Sequence, residues 1–409
     1  MARFIRIAIL LCIVIVLLGV LSFKTIGARA ASAQANASTC AWNVVPSPDG
    51  SSGGSGLSGV AAISASDVWA VGNSGSQASG QVTVIEHWNG TAWSLVANPN
   101  PGTIDNTLYA VSAVSSSDVW AVGFQVSTTG VTQTLTEHWN GTTWSVVASP
   151  DPGSINNELF SVAAVSSNDV WAVGFTASSS SAQKTLIEHW NGTTWSVVKS
   201  PSPGPKPVND VLSSVTAVSS TDVWAVGASS TMGQTLAEHW NGTAWSVVTT
   251  PNPGQGGVFQ GVSAVSSSDV RAVGYFTSNG NIQTLIENWN GTSWQVVTSP
   301  NPGLHPSLWA VTAISATSVW AVGSNGSSTV FDKTLTEHWN GKQWNVVKSP
   351  SPGTNSTQLV AVFAVSAHDV WAVGHADNNT LTENYHCQAS SCAGQAVPKV
   401  TPSWRSHLR

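Results

Sequence analysis

Three titratable residues recur through the chain at matched positions, and they are the first candidates for chemistry. Glu86, Glu137, Glu188, Glu238, Glu287, Glu337 and Glu383 share one position of a repeated phrase. A histidine follows the Glu in five copies, at His87, His138, His189, His239 and His338. An aspartate opens a second phrase in six copies, at Asp67, Asp118, Asp169, Asp222, Asp269 and Asp369, with Ser318 in the other. Two carboxylates at the right separation act as acid and base in glycoside hydrolysis. Histidine invites a metal, but no two of these have the close spacing of a ligand pair. A catalytic site needs asymmetry, and a residue present in every copy serves every copy alike. These side chains are therefore expected to hydrogen-bond within a scaffold, with the Asp fixing a turn. No cofactor or metal is expected.

The phrase VWAVG sets the period. Its Trp falls at Trp69, Trp120, Trp171, Trp224, Trp320 and Trp371, with Arg271 in the fifth copy, at intervals of 47 to 53 residues. A second Trp marks EHWNG and a third precedes a Val pair, as in Trp139 and Trp144. Each unit holds four short strand candidates. In the second copy these are YAVSAVS (109–115), VWAVGF (119–124), TLTEHW (134–139) and TTWSVV (142–147), termed A to D below. Asn-Gly between C and D predicts a two-residue type I′ hairpin, in which both turn residues take positive φ. Pro-rich SPDPG cannot continue a ladder and ends the unit. No helical period of apolar residues appears in this region.

Four antiparallel strands at this spacing describe a β-propeller blade, whose faces must be covered by its neighbours. A buried Trp removes ~150–250 Å² from water, or on the order of 4–6 kcal/mol at most, so the Trp marks are read as blade packing. The last copy has A, B and C (362–387) but no D strand, whereas AWNVV at 41–45 is a D strand with nothing before it. The prediction is an all-β, seven-bladed propeller whose N-terminal strand completes the last blade. Aligning the ends places Cys40 opposite Cys387, a candidate disulfide, with Cys392 as a rival partner for either.

Residues 1–37 read as a signal peptide or signal anchor: Arg3 and Arg6 precede an uncharged run at 7–23, and small-residue cleavage candidates follow. The chain is then expected to be secreted or held at the extracellular surface. Removing the four basic residues of this segment takes the net charge from −6 to −10. With no basic cluster to offset it, nucleic acid is excluded as a partner. The propeller is placed at 40–387, and 388–409 reads as an unstructured tail.

Departures from the repeat are the functional signal. Blade five carries Arg271 for Trp and Asn288 for His, which suggests that these two positions touch across strands B and C. The D–A and B–C loops vary while the A–B and C–D turns do not, and both variable sets project on one face. Binding surfaces are built on such loops. One position at the start of strand A reads Ser58, Tyr109, Phe160, Ser213, Gln260, Trp309 and Val360 around the ring. Tyr109, Phe160, Gln260, Trp309 and Arg271 are the candidate binding residues. The aromatics would stack on sugar rings or anchor a peptide, or else cap the blade ends.

In architecture the chain resembles the secreted bacterial propellers of the Kelch/galactose-oxidase-like and Asp-box (BNR) groups, over residues 41–387. W-N-G-T-x-W keeps the Gly-to-Trp spacing of an Asp box, as in Gly90 and Trp93, without its Ser and Asp. The Gly pair of Kelch repeats is absent, and Tyr109, Tyr275 and Tyr385 form no copper-oxidase constellation, so no catalytic residue carries over. The resulting expectation is a monomeric, non-catalytic binding or scaffold module for a glycan or protein at the cell surface. The rival is a carbohydrate-active hydrolase or lyase at the channel mouth. It needs a unique acid pair, and the acids outside the repeat in the D–A loops are Asp105, Asp151, Glu158 and Asp210.

Overall fold

A computed structural model describes residues 39–388 apart from 51–52, 77–79, 180–181, 205–208, 230–232 and 328–329. The expected targeting segment, Cys12, Cys392 and nearly all of the C-terminal tail lie outside the described residues. The described chain folds into seven four-stranded antiparallel sheets, those of blades one and two joined by one parallel bridge, Gln81 to Asp105. The A strands are Ser55–Ser64, Asp105–Ser115, Asn156–Ser166, Asp210–Ser219, Gln255–Ser266, Ser307–Ser315 and Thr357–Ser366. Each lies beside the A strand of the next blade, and the last returns to the first. The ring is closed.

Closure uses the two ends of the chain. Thr39–Val44 pairs antiparallel with Asn379–Gln388 and supplies the fourth strand of blade seven. Trp42 faces Tyr385 in that ladder, the place held by paired Trp residues in the other blades. Cys40 is the register partner of Cys387, and the two form a disulfide across 347 residues of chain. In the chain-entropy account such a link constrains the unfolded state by at most about 5–6 kcal/mol.

Each seam between blades has its own apolar core. Between blades one and two, Trp69, Val71 and Ile85 meet Leu108, Val119, Leu135 and Trp144. Trp69 lies 5.1 Å from Trp139 and 5.4 Å from Trp144, ring centre to ring centre, and 4.4 Å from His87 of its own blade. The VWAVG tryptophan thus reaches forward into the next blade, while its histidine neighbour covers its other side.

Two local expectations need correction. The C–D turn is not a two-residue type I′ hairpin. Trp139 pairs with Trp144 across four loop residues, and only the glycine takes positive φ, as Gly141 does at 93°. The Asn140 side-chain oxygen accepts from the amides of Thr142 and Thr143, so an Asx turn replaces the backbone turn. Nor does the recurring Asp serve the turn. Its Oδ1 meets the His on strand C, at 2.8 Å for Asp118 and His138, tying strand B to strand C.

Candidate functional site

Every A strand carries a register shift near its D–A end, besides a second one next to the A–B turn. In blade three, Leu159 pairs with Gly174 and Ser161 with Val173, so Phe160 has no partner. The equivalent shifts in the other blades skip Ser58, Tyr109, Ser213, Gln260, Trp309 and Val360. These are the seven variable positions of the sequence. A bulge turns its extra residue out of the alternation of the strand. Here the turn is inward, and all seven side chains line one cavity of about 420 Å³ on the ring axis. The glycine of VWAVG permits it. A Cβ on Gly174 would lie 1.9 Å from the Glu158 carbonyl oxygen, closer than any side chain can come.

The cavity has unlike sides. On the blade-two and blade-three side, Tyr109 and Phe160 meet edge to face at 5.1 Å, backed by Phe124 and Phe175, each 5.7 Å from the ring it supports. Trp309 stands in blade six, 6.4 Å from Tyr275, and its indole donates to Ser324 Oγ at 3.4 Å. Gln260 makes no hydrogen bond among the described residues, leaving its amide free to face the cavity. The bulges lie nearer the D–A end of each strand, in the half of the channel under the variable loops. Those loops hold the B–C segments by backbone bonds, such as Ile104 N to Val126 O at 2.9 Å and Asp377 N to Ser356 O at 2.7 Å.

Arg271 does not join the other four binding candidates. It is 4 % exposed and occupies the seam tryptophan's place, its guanidinium carbon 5.0 Å from the Trp339 ring centre. Its Nε donates to Asp269 at 3.2 Å and Nη2 to the Ala316 carbonyl at 3.3 Å. Asn288 is its register partner, so the two departures in blade five do touch. With its amide nitrogen toward Asp269, Asn288 donates to Oδ1 at 3.1 Å, replacing the missing histidine. Asn384 does the same toward Asp369 in blade seven, at 2.8 Å. A cation with all these partners is packing, not recognition.

The repeated glutamates are wholly buried in the seams. Ser200 Oγ donates to Glu238 and Ser299 Oγ to Glu337, both at 2.9 Å, from the loop that ends the preceding blade. Burial pushes six of these carboxyls up to about 8 and Glu337 up to about 7, so they are mostly neutral acids at pH 7. No basic residue is ion-paired with them among the described residues.

Three of the four loop acids are likewise committed. Asp105 accepts from Gln81 N at 3.0 Å, Asp151 from Thr134 N at 2.8 Å, and Asp210 from Ser229 Oγ at 2.7 Å. Glu158 alone has no hydrogen bond or ion pair among the described residues. Burial pushes its carboxyl up to about 7. It sits two residues before Phe160, and after burial its charge is the next cause of the upward shift of the Tyr109 hydroxyl. The sequence offers one signal for it, the position that reads Gly56, Thr107, Val211, Val258, Ser307 and Gln358 in the other blades. No group of three His, Cys, Asp or Glu side chains comes together to hold a metal among the described residues.

Neither a family model nor a curated protein matches the chain. Solved structures do. YCF48 bound to the D1 peptide has a TM-score of 0.55 at 14% identity, over 84% of this chain and 94% of that one. YCF48 from Cyanidioschyzon merolae gives 0.54 at 15%, over 85% and 98%. The extracellular domain of the hybrid two-component system BT4673 from B. thetaiotaomicron gives 0.52 at 8%, over 84% of this chain and 40% of that one. The fold is a β-propeller. At such identities the likeness extends to the fold and not to the residues of a site.

Proposed function

We propose that this propeller is an extracytoplasmic, non-catalytic binding module that takes a protein or glycan partner at the loop-face mouth of its axial channel. The observation that carries the reading is the ring of bulges. Seven separate register shifts deliver into one cavity a strand-A position whose chemistry changes from blade to blade. Packing alone does not require variety there, since Ser58 and Ser213 serve two blades. Tyr109, Phe160 and Trp309 provide apolar faces and Gln260 a free amide, a combination suited to a sugar ring or a peptide side chain. YCF48, a protein of similar fold, binds the D1 peptide, a precedent for a peptide partner on this architecture. A hydrolase has less support, because three of the four loop acids are spent on backbone and hydroxyl groups and Glu158 has no second carboxylate partner.

The test is a glycan-array and pull-down screen of residues 40–388, followed by titration of any hit. Replacing Tyr109, Phe160 and Trp309 together with Ser should abolish binding while the fold survives. Thr142→Ala with Thr193→Ala, at the C–D turns of the opposite face, should change nothing. Equal affinity of parent and triple variant would place the binding site elsewhere.

A further inference from the structure

The C–D turns carry a motif that the scaffold does not use in full. In five blades they read Asn-Gly-Thr, at 89–91, 140–142, 191–193, 241–243 and 290–292. Asn-x-Thr, with x other than Pro, is the acceptor triplet for N-linked sugar. In each of these turns both the Asn and the Thr are exposed. The Asn oxygen accepts from the Thr hydroxyl at 2.7 or 2.8 Å. It also accepts from the next two amides, so the oxygen is fixed. The nitrogen of the same side chain, the atom that would carry a sugar, makes no hydrogen bond among the described residues. The turn does not demand the hydroxyl. Blade six forms it with Lys342 in that place, where the amides of Lys342 and Gln343 donate to the Asn340 oxygen at 3.0 Å. Three other triplets among the described residues lack the arrangement. Asn325 is half-buried in a ladder opposite Lys333. Thr357, which completes the triplet of Asn355, is buried and accepts from the Gly353 amide at 3.0 Å. Thr380, which completes that of Asn378, donates to Asp49 at 3.2 Å.

We propose that Asn89, Asn140, Asn191, Asn241 and Asn290 are acceptors of N-linked oligosaccharide. The donor is an oligosaccharide carried on a lipid diphosphate, and a transferase outside the cytoplasm supplies the catalysis. The Asn Nδ2 bonds to the anomeric carbon of the first sugar while the bond from that carbon to the phosphate oxygen breaks. The lipid diphosphate leaves with the electron pair, and the amide nitrogen gives up one proton. Sugars at these turns cover the face opposite the channel mouth and leave the mouth open to a partner. The proposal shares with the binding reading only the export of the chain.

The test is peptide mass mapping of the full chain recovered from the cells that make it, before and after an amidase that removes N-linked sugar. The amidase leaves Asp at each released site, a mass mark that names the residue. Sugar is expected on the five Thr-bearing turns, with Asn340, Asn325, Asn355 and Asn378 bare. Thr142→Ala should remove the sugar from Asn140 alone with an unchanged melting temperature. Thr142→Lys, which places blade six's residue in blade two, should do the same and guards against a folding artefact of the first variant. Lys342→Thr should add a sixth site at Asn340. Bare turn asparagines, sugar on Asn340 of the parent chain, sugar confined to the other three triplets, or a site at Asn140 that survives both substitutions would overturn the proposal. So would a folded Lys342→Thr variant that stays bare at Asn340. None of these outcomes touches the channel mouth, whose reading stands or falls on the triple Ser variant.

Discussion

Leu159 is wholly buried in the seam between blades two and three, whereas Phe160, the next residue, lies half-exposed in the axial channel. The two belong to regions under opposite constraints. In the seams the same side chains recur in nearly every blade, because each faces the same neighbours and interior packing tolerates little change of volume. In the channel, side chains from seven blades converge on one space, so no two need be alike and each can be altered without disturbing a ladder. One strand serves both regions because a bulge separates them by a single residue. Blade five marks the limit of this freedom: Arg271 enters a seam only with Asp269, the Ala316 carbonyl and the Trp339 ring to receive it.

The largest expected effect lies where the ring is closed. Deleting residues 40–46 removes the fourth strand of blade seven, the Trp42 packing and the disulfide together. The exposed partner strand becomes an edge open to association. Size-exclusion chromatography and thermal melting should show aggregation or a large loss of stability. A monomeric variant with the parent melting temperature would mean that the ends do not hold the ring.

Smaller and more local is the contrast within strand A of blade three. Leu159→Ala should cost about 2–5 kcal/mol in denaturant unfolding, as buried leucines do. Phe160→Ser should cost far less, because Ser58 and Ser213 already stand at that position. Equal losses would make the channel mouth part of the core and remove the distinction between the two regions.

The finest probe is pH. The seam glutamates have folded-state pKa values raised from 4.5 to about 8, or about 7 for Glu337, so between these limits the folded state binds more protons than the unfolded one. Their contribution to stability is full below pH 4.5 and is lost as pH rises toward 8. The melting temperature should therefore fall from about pH 5 to about pH 8 and level off above that. Glu238→Gln should shallow that slope by one site's share, at most about 1.4 kcal/mol per pH unit. A slope that the substitution leaves unchanged would show that Glu238 is ionised within its seam.

The sequence by itself determined the repeat, the blade number, the order of strands and the closure by AWNVV, because these follow from periodicity and from counting strands that must be paired. It also showed which strand-A position varies and that the Trp and His positions touch. Only the tertiary structure decided what those positions do. A bulge is a property of two strands in register, and the glycine that admits it lies on strand B, so nothing within strand A announces that Phe160 turns into the channel. The partner of the recurring Asp is a histidine two strand-widths of sequence away, and the C–D turn depends on a side-chain oxygen rather than on the φ preference of Asn-Gly. Arg271 looks like a free cation in sequence, and burial against the next blade makes it a structural one. Glu158 looks like one acid among four, and stands apart because the other three are held by donors that folding brings to them.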